Sequence, residues 1–372
     1  MFLALHEMRR AAVRFTLLVG AVALLVFLIL FQQALSGGLI DQFIGALRNQ
    51  SADVLVYNDQ ARTNVEGSIV LPDQAAAIAE VDGVADAAPL GEATFTVTAG
   101  GEIRDTVIFG YLPGRVGAPT TLIAGRLPSG PGEAVASSKD AGDGYALGDV
   151  VRVEPDGIEI TIVGQARQIN FSVSPTLFVD FPTFEAAKLT RNPDARAVLP
   201  SLIAVRVAAG EDPGVVADRI DDAVEGVQAL TRQQAVDGTP GVANVRSSFG
   251  IVLGLFYLVV PLVTGLFFLI VTFQKASALT LLRAIGAPAG VLVRSLLVQV
   301  VTVVLTGSLL AVLLFAGAIS GVKSLELSVE LGTTLITVAV VLALALLTSL
   351  VAVRRVLRID PIEATTGGGV QL

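Results

Sequence analysis

Cysteine is absent from the 372 residues. That excludes disulfides, thiolate metal sites and cysteine nucleophiles, so any exported part of the chain must be held by a core alone. Tryptophan is absent and tyrosine occurs only four times, so no aromatic cage stands out. A single histidine, His6, leaves no material for histidine-based acid–base or metal chemistry. No Walker A sequence occurs. Gly317–Ser324 (GAISGVKS) has the wrong spacing, so the chain cannot bind ATP in the P-loop manner. Carboxylates of the long polar segment are spread over turns and helix faces, and no catalytic, cofactor-binding or metal-ligating residue is assigned.

Charge is also scarce, at 16% of residues, and the mean hydropathy is +0.73, too apolar for an ordinary soluble protein. The apolar residues are concentrated in four runs: Phe15–Leu35, Phe249–Phe273, Val291–Ile319 and Leu331–Val353. A bilayer core of roughly 30 Å takes about 20 apolar residues per helix, and each run supplies them. The spacing predicts an α-helical membrane domain with four transmembrane helices in a 1+3 arrangement. A mixed α/β extracytoplasmic domain of two subdomains is inserted between the first helix and the second.

Charge distribution sets the orientation. Arg9, Arg10 and Arg14 precede the first run, Lys275 and Arg283 lie between the second and third, and Arg354, Arg355 and Arg358 follow the fourth. The long segment is acidic and accounts for the net charge of −8. By the positive-inside rule both termini and the 274–290 loop are cytoplasmic, in a multi-pass membrane protein. A cleaved signal peptide is the competing reading of the N-terminus. The run is longer than a signal core, so an uncleaved span is expected.

The expected layout is a cytoplasmic interfacial helix (1–14), span one (15–35), a stalk and outer domain (36–246) and span two (247–273). A cytoplasmic coupling helix (274–290), span three (291–319), an outer turn (320–330), span four (331–353) and a cytoplasmic tail (354–372) follow. Gly37–Gly38 is read as an interruption. Beyond it Leu39, Ile40, Phe43, Ile44 and Leu47 recur at helical spacing, which predicts a stalk, with Leu39, Phe43 and Leu47 as its candidate residues. In the outer domain, strands are expected at Asp53–Tyr57, Thr94–Thr98, Thr106–Phe109, Asp149–Val153, Ile158–Val163, Thr176–Val179, Ile203–Val207 and Val227–Leu230. Helices are expected at Pro72–Val81 and Asp212–Ala223. Leu122–Pro131 is read as a Gly/Pro-punctuated loop and 233–246 as a linker. The first and last parts would form one subdomain and the middle would be inserted. Pro261 marks a kink in span two, and Gly250 and Gly254 have the GxxxG spacing that permits close helix approach.

The segment 274–290 carries the most information. Leu279, Leu282 and Ile285 share a helical face, Arg283 projects elsewhere, and Gly286 with Pro288 ends the turn. The run LLRAIGAPAG closely resembles the coupling segment of ABC transporter permeases of the MacB/FtsX/LolC type, which reads "REIALLRAIGAS". The tail from Arg354 through Arg355, Arg358, Asp360 and Pro361 to Ala364 resembles that family's "R…DPxEAL". Ala124–Pro128, Gly132–Val135, Leu147–Val151 and Ile162–Gly164 look like its "GRxP…GEAVV…LGDxV…VVG" pattern. The N-terminal stretch is similar to the DevC branch. One departure falls in the coupling segment, where Ser277 and Ala278 stand in place of the family's basic and acidic residues.

The resemblance implies a MacB-like periplasmic core domain joined to an FtsX-like permease domain, in a dimer of two permease copies, identical or related. It implies a separate ABC ATPase subunit that binds ATP and Mg, so this chain needs no cofactor and is not itself an enzyme. Lys275, Leu279, Leu282, Arg283, Ala284, Ile285 and Gly286 would contact that ATPase, and Arg355, Arg358, Asp360 and Pro361 would form the cytoplasmic tail motif. Because Ala278 lacks the acid, docking relies on Lys275, Arg283 and shape, or on an altered partner. Motion would pass through the stalk to the outer domain by mechanotransmission, for export or extraction of a lipid, lipoprotein, glycolipid or peptide. Membrane lipid and an extracytoplasmic adaptor or enzyme are further expected partners; nucleic acid is not. The alternative is an FtsX-like regulatory permease that switches an extracytoplasmic enzyme and carries no cargo. A membrane-anchored binding protein without an ATPase is a third reading.

Overall fold

The computed structural model describes residues 11–274, 289–321 and 331–357. Its first element corrects one expectation. Ala12–Arg48 is a single helix, α1, which runs through Gly37 and Gly38 without a break. Each helical glycine costs roughly 1 kcal/mol relative to alanine. Two such costs do not stop a long helix whose far end is buried, as Ile44 and Leu47 are. Residues 12–14 therefore belong to this helix and not to a separate interfacial one.

The chain divides into two units: residues 1–36 with 247–372, and Gly37–Arg246. In the first, α1 is joined by α6 (Val242–Gln274), α7 (Ala289–Gly321) and α8 (Leu331–Leu357). All four helices are long and apolar enough to cross a membrane. Phe15, Val22 and Ile29 of α1 pack with Phe268, Val304, Phe315 and Ala345 from the other three. A Cβ on Gly307 would lie 2.8 Å from Val22 Cγ1, so the glycine sets the α1–α7 approach. Pro261 does not end α6; the Thr264 hydroxyl donates to the Val260 carbonyl at 2.9 Å beside it. Gly250 and Gly254 have open space where a side chain would stand, so the GxxxG face packs against no other described helix of this chain.

In the second unit ten strands form one hydrogen-bonded sheet: β1 (Val54–Asn58), β2 (Val84–Ala99), β3 (Glu102–Tyr111), β4 (Leu122–Gly125), β5 (Glu133–Ser137), β6 (Val150–Val153), β7 (Glu159–Ala166), β8 (Thr176–Asp180), β9 (Leu202–Val207) and β10 (Val227–Thr231). At one end β10, β1, β9 and the first half of β2 pair antiparallel. Helices α2 (Pro72–Ala79) and α4 (Pro213–Ala223) cover them, burying Val56, Ile78, Val205 and Ile220 together. The second half of β2 pairs with both β3 and β6. Through β8, β5 and β7 the pairing returns to β6, so six strands close into a ring. Each of the six contributes to one apolar cluster, including Phe95, Ile108, Ala134, Val151, Ile160 and Leu177. Strand alternation sends their neighbours to the opposite face, where Leu90, Val107 and Phe109 join a second cluster.

Three segments differ from expectation. Leu122–Gly125 is an edge strand on β7; all four residues are exposed, so no alternation marked it. Helix α3 (Phe181–Arg191) starts where Asp180 accepts from Thr183 N–H at 3.0 Å, with Pro182 in its first turn. The expected linker instead contains α5 (Arg232–Gly238), opened by a reciprocal cap between Thr231 and Gln234, and the start of α6. Caps of this kind carry a measurable share of stability. Asp212 accepts from Gly214 N–H at 2.7 Å and Val215 N–H at 3.3 Å to open α4. Asp212→Ala is expected to cost about 1 kcal/mol, read as a lower melting temperature of the full-length protein in detergent.

Candidate functional site

The last turns of α1 form part of the outer unit's core. Ile44 and Leu47 are fully buried and Ile40 nearly so, among Leu55 of β1, Leu90 of β2, Phe109 of β3, Val135 of β5, Phe178 of β8 and Ala204 of β9. The buried positions 40, 44 and 47 follow the helical period. Of the predicted stalk residues, Leu47 is at the centre of this cluster, Phe43 packs half-buried against it and Leu39 is half-buried. Strands from both parts of the sheet share this cluster with the helix, which makes its end a hub.

A short segment between β7 and β8 clamps that hub by its backbone. Ser172 N–H donates to the Phe43 carbonyl at 3.1 Å and Val173 N–H to the Gln42 carbonyl at 3.0 Å, while Ala46 N–H donates to the Asn170 carbonyl at 3.1 Å. Two side chains add to it: Asn49 Nδ2 donates to the Gln168 carbonyl at 2.6 Å, and Gln168 Nε2 to Asp41 Oδ2 at 2.9 Å. Gln168, Ser172 and Val173 hold φ of 52°, 53° and 60°, a left-handed conformation that non-glycine residues adopt only when surroundings enforce it. Close approach needs Gly45: a Cβ there would run into the backbone carbonyls of Gln168 and Asn170.

Asn170 ties the clamp to the six-strand ring. It is 5% exposed. Its Nδ2 donates to Asp140 Oδ2 at 2.7 Å and to the Ser174 carbonyl at 3.1 Å, and its Oδ1 accepts from Ser137 Oγ of β5 at 2.7 Å. Phe171 N–H donates to Thr176 Oγ1 of β8 at 2.9 Å, and its ring stands edge-on to Phe109, 5.4 Å between centroids. Beyond the helix end, Arg232 Nη1 donates to the Gln50 carbonyl at 3.0 Å and Thr120 N–H to the Asn49 carbonyl at 2.8 Å. A displacement of α1 would therefore act on β5, β7, β8 and the α5 region at once. The Arg48–Asp41 ion pair is exposed on its arginine side and adds little.

The sheet also holds a buried acid. β2 leaves β9 after Leu90 and meets β6 only at Val97. Side chains close the gap: Glu92 N–H donates to Ser201 Oγ at 3.0 Å, Ser201 Oγ donates to the Glu92 carbonyl at 3.2 Å, and Arg191 Nη1 donates to the Thr94 carbonyl at 2.9 Å. Glu92 itself is 2% exposed and neither carboxyl oxygen has a hydrogen-bond partner among the described residues. Burial pushes its pKa up to about 8, the charge of Glu66 adds to the rise and Lys188 opposes it. Nearby, a cleft of about 310 Å³ is lined by Thr94, Phe95, Thr96, Asp105, Glu154 and Arg191. Its acids are already bonded, Asp105 to Thr96 and Glu154 to Thr98. No group of three or more histidines or carboxylates that could hold a metal occurs among the described residues.

The predicted coupling residues Lys275, Leu279, Leu282, Arg283, Ala284, Ile285 and Gly286 lie outside the described residues, as do Arg358, Asp360 and Pro361. Arg355 is in the last turn of α8. Sequence reasoning missed Gly45, Gln168 and Asn170. Gly45, a glycine inside an apolar helical repeat, was the available signal, because such a glycine is costly unless something approaches closely.

Comparison with known proteins identifies the family. The profile of the MacB-like periplasmic core domain matches residues 15–223. That is more than half of the chain, and the chain belongs to this family: it is an ABC transporter permease of the MacB/FtsX/LolC type. It is 24% identical over 370 residues, covering 99% of each chain, to the uncharacterized ABC transporter permease Rv0072 of Mycobacterium tuberculosis. It is 22% identical, over 99% of this chain and 100% of the relative, to the putative hemin transport system permease protein HrtB of Staphylococcus epidermidis. Among solved structures, the periplasmic region of MacB from Actinobacillus actinomycetemcomitans aligns with 52% of this chain and 97% of its own length, at 12% identity and a TM-score of 0.37. The extracellular domain of the noncanonic ABC-type transporter YknZ from Gram-positive bacteria aligns with 48% of this chain and 100% of its own length, at 17% identity and a TM-score of 0.34.

Proposed function

We propose that the chain works by mechanotransmission: a separate ATPase subunit binds ATP and Mg, and its closure moves α1, which drives the outer domain. The observation that carries this reading is the single helix Ala12–Arg48, whose apolar first part could span a bilayer and whose end is the buried hub described above. A helix is stiff over such a length, so displacement along it is delivered to the clamp and not absorbed. In this reading the spans are arranged one plus three, both termini and the 274–290 loop face the cytoplasm, and two permease copies meet two ATPases. The two-part sheet, joined through β2, is the element that changes shape.

Cargo is an amphiphile handled at the outer surface: a lipid, lipoprotein, glycolipid or peptide. The putative hemin permease among the relatives adds a flat apolar molecule with carboxylates to that class. ATPase contact is assigned to Lys275, Leu279, Leu282, Arg283, Ala284, Ile285 and Gly286, with Arg283 as the main charge. The test is ATP hydrolysis by the complex reconstituted in membranes with its candidate ATPase. Arg283→Glu is expected to abolish association or stimulation while the permease stays folded. Unchanged activity and association would overturn the coupling assignment and favour a binding protein without a motor.

A further inference from the structure

Two helices connect the outer domain to the membrane, α1 before it and α6 after it, and a closed ring of side chains joins them to α8. Gln33 Nε2 of α1 donates to the Tyr257 hydroxyl of α6 at 3.3 Å. That hydroxyl donates to Thr337 Oγ1 of α8 at 3.4 Å, and Thr337 Oγ1 donates to Gln33 Oε1 at 3.1 Å. Every member gives one donor and takes one acceptor, so the ring closes on itself in one direction. Thr337 is 1% exposed, and the other two are half-buried.

Two features separate this ring from routine satisfaction of polar groups. Thr264, Thr302, Thr306 and Thr348 return their hydroxyls to carbonyls of their own helices four residues back. A threonine in a span therefore has a partner at hand, and Thr337 instead bonds across helices. Tyr257 also sits four residues before Pro261, which has no N–H to offer the Tyr257 carbonyl, so α6 is less constrained by its own ladder at the ring. At the far end of the same pair, Arg14 Nη1 of α1 donates to Gln274 Oε1 of α6. Arg14 and Gln33 are about 28 Å apart along a helix that rises 1.5 Å per residue, so α1 and α6 are fastened at two points separated by roughly the thickness of a bilayer core.

We propose that Gln33, Tyr257 and Thr337 form a latch that keeps the two legs of the outer domain moving as one body, so that a stroke displaces the domain instead of splaying its attachments. The purpose of the latch rests on the mechanotransmission reading; its existence does not, and it is tested without an ATPase. The cysteine-free chain makes the measurement direct. Gly37→Cys and Ser247→Cys, both exposed positions, are spin-labelled in the full-length protein. The labelled protein is diluted with the unlabelled chain in lipid nanodiscs, and the distance distribution is recorded. One narrow distribution is expected with the ring intact. Tyr257→Phe and Thr337→Val should each make it about twofold broader, on the nanosecond-to-millisecond motions of helices that freezing traps. Thr337→Ser, which keeps the hydroxyl, should restore it. Equally narrow distributions in all variants, or a failure of serine to restore, would overturn the latch even if the Arg283→Glu result upholds the motor contact. A broad distribution in the intact protein would also overturn it.

Discussion

Gly45→Ala is expected to loosen the clamp and disconnect the stalk, although the same change in an open helix would stabilise it. At Gly37, where nothing lies within 4 Å of the new methyl group, alanine should gain up to about 1 kcal/mol from helix propensity alone. At Gly45 the methyl group meets the carbonyls of Gln168 and Asn170. These are backbone atoms, held by the Asn49 and Ala46 hydrogen bonds, and cannot rotate away as a side chain would. Overpacking of this kind costs about 1–3 kcal/mol, which exceeds the propensity gain. Amide exchange reads the result: Ser172 and Val173, whose N–H groups bond to α1 carbonyls, should exchange roughly tenfold faster or more in Gly45→Ala, since about 1.4 kcal/mol is a factor of ten. They should be unchanged in Gly37→Ala. In the complex, Gly45→Ala should leave ATP hydrolysis in place while the outer domain ceases to respond to it. Protection equal to that of the unsubstituted protein would remove the clamp from the mechanism.

The contrast between these two glycines shows which features can be read from the sequence. Local chemistry was legible. Uncharged runs such as Phe15–Leu35 announce spans, Pro155–Asp156–Gly157 announces the β6–β7 hairpin, and Asp212 before Pro213 announces α4. The six-strand ring was not legible, because it joins strands distant in sequence, such as Val107 with Thr176, and no local pattern encodes a partner. Helix α3 carried its signal in Asp180 and Pro182, but its few apolar residues, such as Phe184 and Ala187, make a weak repeat. The clamp is harder still. Its bonds come from backbone groups of Ser172, Val173 and Ala46 that every residue possesses, so residue identity marks only the glycine that makes room. The coupling segment is the reverse case. LLRAIGAPAG was legible as a motif, and its residues fall outside those the structure describes.

Glu92→Gln is expected to stabilise the outer domain, by an amount that depends on pH. In the fold the carboxyl stays protonated up to about pH 8, against an ordinary value of 4.5, because burial disfavours its charge. When the domain unfolds between those values, Glu92 releases its proton to water and the unfolded state gains. Stability from this group is therefore lost as pH rises from the ordinary value to the raised one, and changes little above it. The loss is about 1.4 kcal/mol per pH unit, several kcal/mol in all and ~5 at most. Two charged groups act on Glu92: Glu66 from the loop after β1 raises its pKa, and Lys188 from α3 lowers it. Glutamine has the shape of the neutral acid and cannot ionise, so the two proteins should melt together near pH 5. The variant should melt higher near pH 8, by several degrees per kcal/mol divided over a domain of this size. Titrations remote from Glu92 are common to both proteins and cancel in the difference. A gap of the same size at both pH values would assign the effect to packing. No gap at either would mean that Glu92 has the same pKa in the fold as in the unfolded chain, and that no neutral acid is held at the crossing point of β2.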